Sequence, residues 1–167
     1  LADEGYGITQ LVSLLLYIDN IIPSDPNAEY KGYGEWEDGY KPRYICVEEP
    51  EKHLHPKFQS KLAEMFVEAY QKYNIHFIIE THSEYLIRKL QVMVAEKENA
   101  LSPNDVSLNY VEKDENGTSH NRQIKIQEDG RLSEPFGPGF FDEATRSCVE
   151  ILKNEKRNRN GKDAKLR

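Results

Sequence analysis

Hydrophobic and polar positions divide the chain into alternating helix-like and strand-like segments. An apolar helical stretch runs from about Ile8 to Ile22. Residues 23–43, rich in Gly, Tyr, Asp and Glu and without regular period, read as an exposed loop insertion. Tyr44-Ile45-Cys46-Val47 is a short continuous apolar run stopped by Glu48-Glu49-Pro50, the pattern of a buried strand. Between Lys57 and Tyr73, Phe58, Leu62, Met65, Phe66, Ala69 and Tyr73 recur at helical spacing. Ile75-His76-Phe77-Ile78-Ile79 is a second apolar strand, ending at Glu80-Thr81-His82-Ser83, and Leu86, Ile87, Leu90, Met93 and Val94 mark the helix after it. Val106 to Lys113 and Gln123 to Gln127 alternate like strands, with a turn at Asp114-Glu115-Asn116-Gly117 between them. Phe140 to Leu152 reads as a closing helix.

Strand, helix, strand, helix, with both strands apolar, predicts an α/β fold: a mainly parallel sheet with flanking helices. A right-handed crossover brings the ends of the first two strands to one edge. Open α/β sheets place their sites on that edge. Glu48 and Glu49 follow one strand, and Glu80, Thr81 and His82 follow the next. Neighbouring strands lie only about 4.8 Å apart, so Glu49 and His82 are expected to be close in space.

Composition narrows the class. Of the 167 residues, 38% are hydrophobic and 31% charged, which suits one globular domain with a modest core rather than a disordered chain. No apolar run approaches the roughly 20 residues of a membrane span. The two cysteines, Cys46 and Cys148, make no metal spacing and read as buried thiols of a reducing compartment, with the cytoplasm as the expected location. Charge is uneven: residues 153–167 carry a net +5 and the rest a net −12, together the chain's −7. An acidic body is a poor general binder of phosphate backbones, so attraction to nucleic acid is not expected. The tail at 153–167 is expected to be a solvated, disordered terminus.

Three segments carry candidate chemistry. Two carboxylates, Glu48 and Glu49, at the end of an apolar strand are costly unless a cation compensates them. A divalent metal with a nucleotide does so, and leaves the second carboxylate to orient a water. An isolated Glu-Glu pair is more often a solvated strand end. The whole string Tyr44-Ile45-Cys46-Val47-Glu48-Glu49-Pro50-Glu51-Lys52-His53-Leu54-His55-Pro56 is more specific. It resembles the Walker B segment and following loop of ABC-type ATPases, with its closest likeness to the OLD-related AAA branch of prokaryotic ATPases. That resemblance implies that Glu48 holds magnesium, in a position where an aspartate is usual, and that Glu49 polarises the attacking water. It sets His55 where the D-loop aspartate senses the second nucleotide site of a dimer, and gives Glu51 and His53 no role.

Phe77-Ile78-Ile79-Glu80-Thr81-His82-Ser83-Glu84-Tyr85-Leu86 resembles the switch-histidine segment of the same family. By that likeness His82 reaches the γ-phosphate and helps hold the attacking water; Ser83 also reads as the N-cap of the next helix. Gly5-Tyr6-Gly7-Ile8-Thr9-Gln10, running into a helix, offers N–H groups for an anion. Glycine before a helix is commonplace, yet in register with the other two strings the segment resembles a divergent ABC signature. There Gly7 and Thr9, then Gly5 and Gln10, would touch a nucleotide held mainly by the other subunit. Pro138-Gly139-Phe140-Phe141-Asp142-Glu143 is similar to a motif after the ATPase core in some of these proteins; Phe140 and Phe141 read as core anchors.

Gly-x-x-x-x-Gly-Lys-Ser/Thr is absent from the sequence. The resemblance therefore implies that residues 1–152 are the C-terminal lobe of a P-loop NTPase domain whose Walker A half lies elsewhere. ATP and Mg²⁺ are the implied cofactors, and a homodimer closed across the nucleotide the implied assembly. The missing half would add a central strand between the strand ending at Ile79 and the one starting near Val106. The family further suggests a motor or switch in phage defence or genome maintenance, often with a nuclease partner. Two other readings stand beside this one: a metal-dependent hydrolase or nuclease built from Glu48, Glu49, His53, His55 and His82, and a non-catalytic interaction module.

Overall fold

The computed structural model describes residues 2–22, 42–96, 101–143 and 146–154. Most of the expected 23–43 loop and of the 153–167 tail lies outside those residues. Where the described chain meets them it corrects both bounds: Arg43 already belongs to a strand, and Lys153 and Asn154 are still helical.

Helix α1 spans Ala2–Ile21, strand β1 Arg43–Glu48, helix α2 Pro56–Tyr73, strand β2 Ile75–Glu80 and helix α3 Glu84–Ala95. A short 3₁₀ turn at Pro103–Asp105 leads to strand β3, Leu108–Lys113, and strand β4, Ser119–Ile124. The ends are chemically marked. His55 caps α2 with Pro56 in the first turn, and Asn74 closes it in the left-handed region at φ 52°, so that β2 starts at the next residue. Ser83 caps α3, its Oγ accepting from the Leu86 N–H, as the sequence suggests.

β1 and β2 pair in parallel, with Ile45 opposite Phe77, Val47 opposite Ile79 and Glu48 opposite Glu80. Among the described residues the fold is thus mixed α/β, with a two-stranded parallel sheet rather than a mainly parallel one: β3 and β4 form a separate antiparallel hairpin. The hairpin was expected, but β4 lies earlier than the 123–127 alternation indicates. Its turn is tied by Asp114, whose Oδ1 accepts from the Asn116 and Thr118 N–H groups, with Gly117 at φ 80°.

Helices cover one face of the parallel pair. Ile45, Val47, Ile75 and Phe77 pack with Leu14 and Ile18 of α1 and Met65 and Ala69 of α2. On the other face Tyr44, Cys46 and Ile78 are exposed. The expectation of strands buried on both faces, and of two buried thiols, is corrected here: Cys46 points away from the helices and Cys148 sits on an exposed helical segment. A second cluster, Val67, Met93, Val94, Leu101 and Ile126, fastens the 101–132 region to α2 and α3.

Two further boundaries differ. α1 begins at Ala2 rather than near Ile8, which puts Gly5 and Gly7 inside the helix. Helical backbone at the end of the chain is found at Glu143 and across 146–154, so Phe140 and Phe141 precede it in a turn.

Candidate active site

The parallel register ends where the chemistry begins. The Glu49 N–H donates to the Glu80 carbonyl at 2.8 Å, extending the pairing one residue past the strands. Glu49 itself takes φ 42°, and His53 φ 62°, so the chain after β1 folds back in a tight turn. Its carboxylate turns toward the neighbouring loop, and Glu49 Oε1 lies 4.0 Å from His82 Nε2. Residues far apart in sequence meet because the crossover through α2 returns β2 alongside β1.

Glu49 has a second partner that the sequence reading missed. Lys52 Nζ binds Glu49 Oε2 at 2.8 Å. This hydrogen bond, with the lysine's charge and a smaller contribution from His82, holds the Glu49 carboxyl below the usual carboxylate range, and in return Glu49 raises Lys52. The signal available in the sequence was the i, i+3 spacing of acid and lysine in a turn.

Glu51, too, had no role assigned from the resemblance. It is only 8% exposed, and its Oε1 accepts from the His82 backbone N–H at 2.7 Å. Its Oε2 is buried without a hydrogen-bond partner among the described residues. One side chain in the loop after β1 therefore fixes the loop after β2. Ser83 adds to this: its N–H donates to Thr81 Oγ1, and its hydroxyl meets Gln59 Oε1 at 2.6 Å.

Glu48 is exposed at the end of β1, in register with Glu80. Glu48, Glu49 and Glu80 provide oxygen donors only, the donor type that suits magnesium, which takes one or two carboxylates together with substrate phosphates. Among the described residues no group of three or more His, Cys, Asp or Glu is arranged to hold a metal ion. Glu48, Glu49, His53, His55 and His82, the residues of the metal-hydrolase reading, form no such group. His53 sits in the turn, and His55 Nδ1 accepts from the Lys57 N–H at the start of α2.

The glycine segment differs from its expected geometry. N–H groups inside an α-helix are engaged four residues back, so Gly7, Thr9 and Gln10 do not form an anion cradle at a helix start. Gly7 has a packing reason instead: a Cβ there would lie 2.4 Å from the His53 carbonyl oxygen. Gln10 does reach the acidic turn, with Nε2 3.5 Å from the Glu49 carbonyl oxygen. Thr9 is exposed on the same helix.

Acids and an imidazole gather at the carboxyl ends of the parallel strands, the edge where open α/β sheets bind ligands. Residues 1–87, just over half of the chain, match the family described as AAA ATPase domain, and the chain belongs to that family. Residues 101–151 match a second family, described as a protein of unknown function, DUF3696. No curated protein and no solved structure matches the chain. No described helix is long and apolar enough to cross a membrane.

Proposed function

We propose that the chain is the C-terminal lobe of an ABC-like, OLD-related ATPase, contributing the hydrolytic residues to a nucleotide whose phosphates are bound mainly by a loop on another segment. The observation that carries this reading is the approach of Glu49 Oε1 to His82 Nε2 at 4.0 Å. Glu49, as a carboxylate beside Lys52, is the group that accepts a hydrogen bond, and then a proton, from a water. His82 stands on the opposite side of the same gap and can donate to a terminal phosphate oxygen or to that water. In this reading Glu48 would hold magnesium, whose chemistry when bound is to neutralise charge on the transferring phosphoryl group.

A second observation supports the divided domain. Between β2 and β3 runs an open groove of about 870 Å³, lined along its length by residues 76–82 on one side and 104–111 on the other. The two strands do not pair with each other. In this reading a strand from the Walker A half would enter the groove and meet the free edges of β2 and β3. Two copies closing across the nucleotide, with Thr9, Gln10 and His55 facing the second site, complete the reading. Its role is then a motor or switch in a larger assembly, of the kind that acts with a nuclease.

The test is magnesium-dependent ATP hydrolysis by the complete protein. Glu49→Gln should leave nucleotide binding intact and lower turnover by about a hundredfold or more. Normal turnover in that variant would contradict the assignment. The 167-residue chain alone should show no appreciable hydrolysis.

A further inference from the structure

His82 is tied by its backbone and left free at its ring by its own segment. Glu51 accepts from its N–H at 2.7 Å, and the Ser83 cap fixes the chain just beyond it. The imidazole is 68% exposed, and at 4.0 Å its Nε2 is too far from Glu49 for a hydrogen bond. Besides Glu49, the group beside the ring is aromatic.

The aromatic ring beside it belongs to the second family block. Phe140 lies with its centroid 6.5 Å from that of His82, within the range of aromatic pairing. Phe140 is itself held at 5.2 Å by Tyr110 of β3, at 5.0 Å by Phe136 and at 4.4 Å by Phe141. The segment is fastened to the hairpin by Arg122, which donates to the Pro135 carbonyl at 3.1 Å, pairs with Glu134 at 2.6 Å and lies over the Tyr110 ring. A tight turn aims the phenylalanine: Gly139 has φ 84°, and Asp142 Oδ1 accepts from its N–H. These rings are only half-buried and belong to none of the clusters of fully buried residues, which corrects their reading as core anchors.

We propose that Phe140 is a positioning residue for His82: the 136–141 aromatic cluster sets the direction of the imidazole, and the C-terminal block thereby acts on the hydrolytic site. The inference rests on the reading of Glu49 and His82 as the hydrolytic pair, and its first test is independent of turnover. In carbon–proton spectra of the histidine rings, Phe140→Leu should shift the His82 resonances and leave those of His55 and His120 in place. Phe140→Trp, which keeps an aromatic ring in the cluster but changes its ring current, should also shift them, and Phe140→Tyr should restore them close to their original positions. In the complete ATPase, Phe140→Leu should lower kcat by about tenfold or more with KM for ATP unchanged, and Phe140→Tyr should recover it. His82 resonances that stay in place in both Phe140→Leu and Phe140→Trp would overturn the proposal. So would a normal kcat in Phe140→Leu alongside an inactive Glu49→Gln. An active Glu49→Gln overturns the hydrolytic reading instead.

Discussion

Glu51 shows how one buried carboxylate can matter more than its exposed neighbours. Burying a polar group without a partner is costly, and this one gives one oxygen to the His82 amide and leaves the other unpaired among the described residues. Glu51→Ala removes the acceptor and strands a backbone N–H, which should cost about 1–3 kcal/mol. Denaturant unfolding should show the loss, and hydrogen exchange at the His82 amide should speed up. At Lys52 the effect is electrostatic. Lys52→Ala removes the hydrogen bond that depresses Glu49, so the Glu49 carboxyl should titrate higher, toward the ordinary glutamate range, in a carbon NMR titration. Neither residue was assigned a role from the sequence, because both contacts depend on a turn with left-handed residues at Glu49 and His53, a geometry that only the folded loop sets.

At the scale of elements, α1 and the loop after β1 are held at backbone distance. Gly7→Ala puts a methyl group against the His53 carbonyl, and overpacking of this kind should destabilise the fold by about 1–3 kcal/mol. Ile8→Ala, on the exposed side of the same helix, is the control in the same denaturation experiment. The hairpin carries a pH dependence. Asp114 is held below its ordinary value of 3.8 by His120 and by the turn N–H groups of Thr118, Asn116 and Gly117. A lowered carboxylate contributes stability above its unfolded value and loses it as pH falls through the folded value. Thermal unfolding should therefore show stability declining as pH falls below about 4, with a shallower decline in Asp114→Asn. Helix and strand identities from 43 to 95 were legible because their periodicities are strong. The covered face was not, since a continuous apolar run looks the same whether helices pack on one side of the strand or on both. Among the described residues the odd-numbered side chains Ile45, Val47, Phe77 and Ile79 pack on the helices, and on the other face His76 meets Tyr70 of α2 at its edge.

For the whole molecule, topology did most of the predicting. A parallel β1–α2–β2 unit obliges the residues after both strands to share an edge, so the nearness of Glu49 and His82 followed from the order of elements. The glycine segment had no such constraint, and its helix start lies at Ala2 rather than beside Gly7. The groove between β2 and β3 separates the two sheets and sets the Phe140 cluster at the same end as His82. The central claim is that Glu49 and His82 act on one reacting phosphate as a unit. A double-mutant cycle on ATP turnover of the complete protein, using Glu49→Gln, His82→Ala and the pair, measures this directly. Strong non-additivity is the predicted result, with the double variant about as slow as the slower single one. Full multiplication of the two losses would contradict the account.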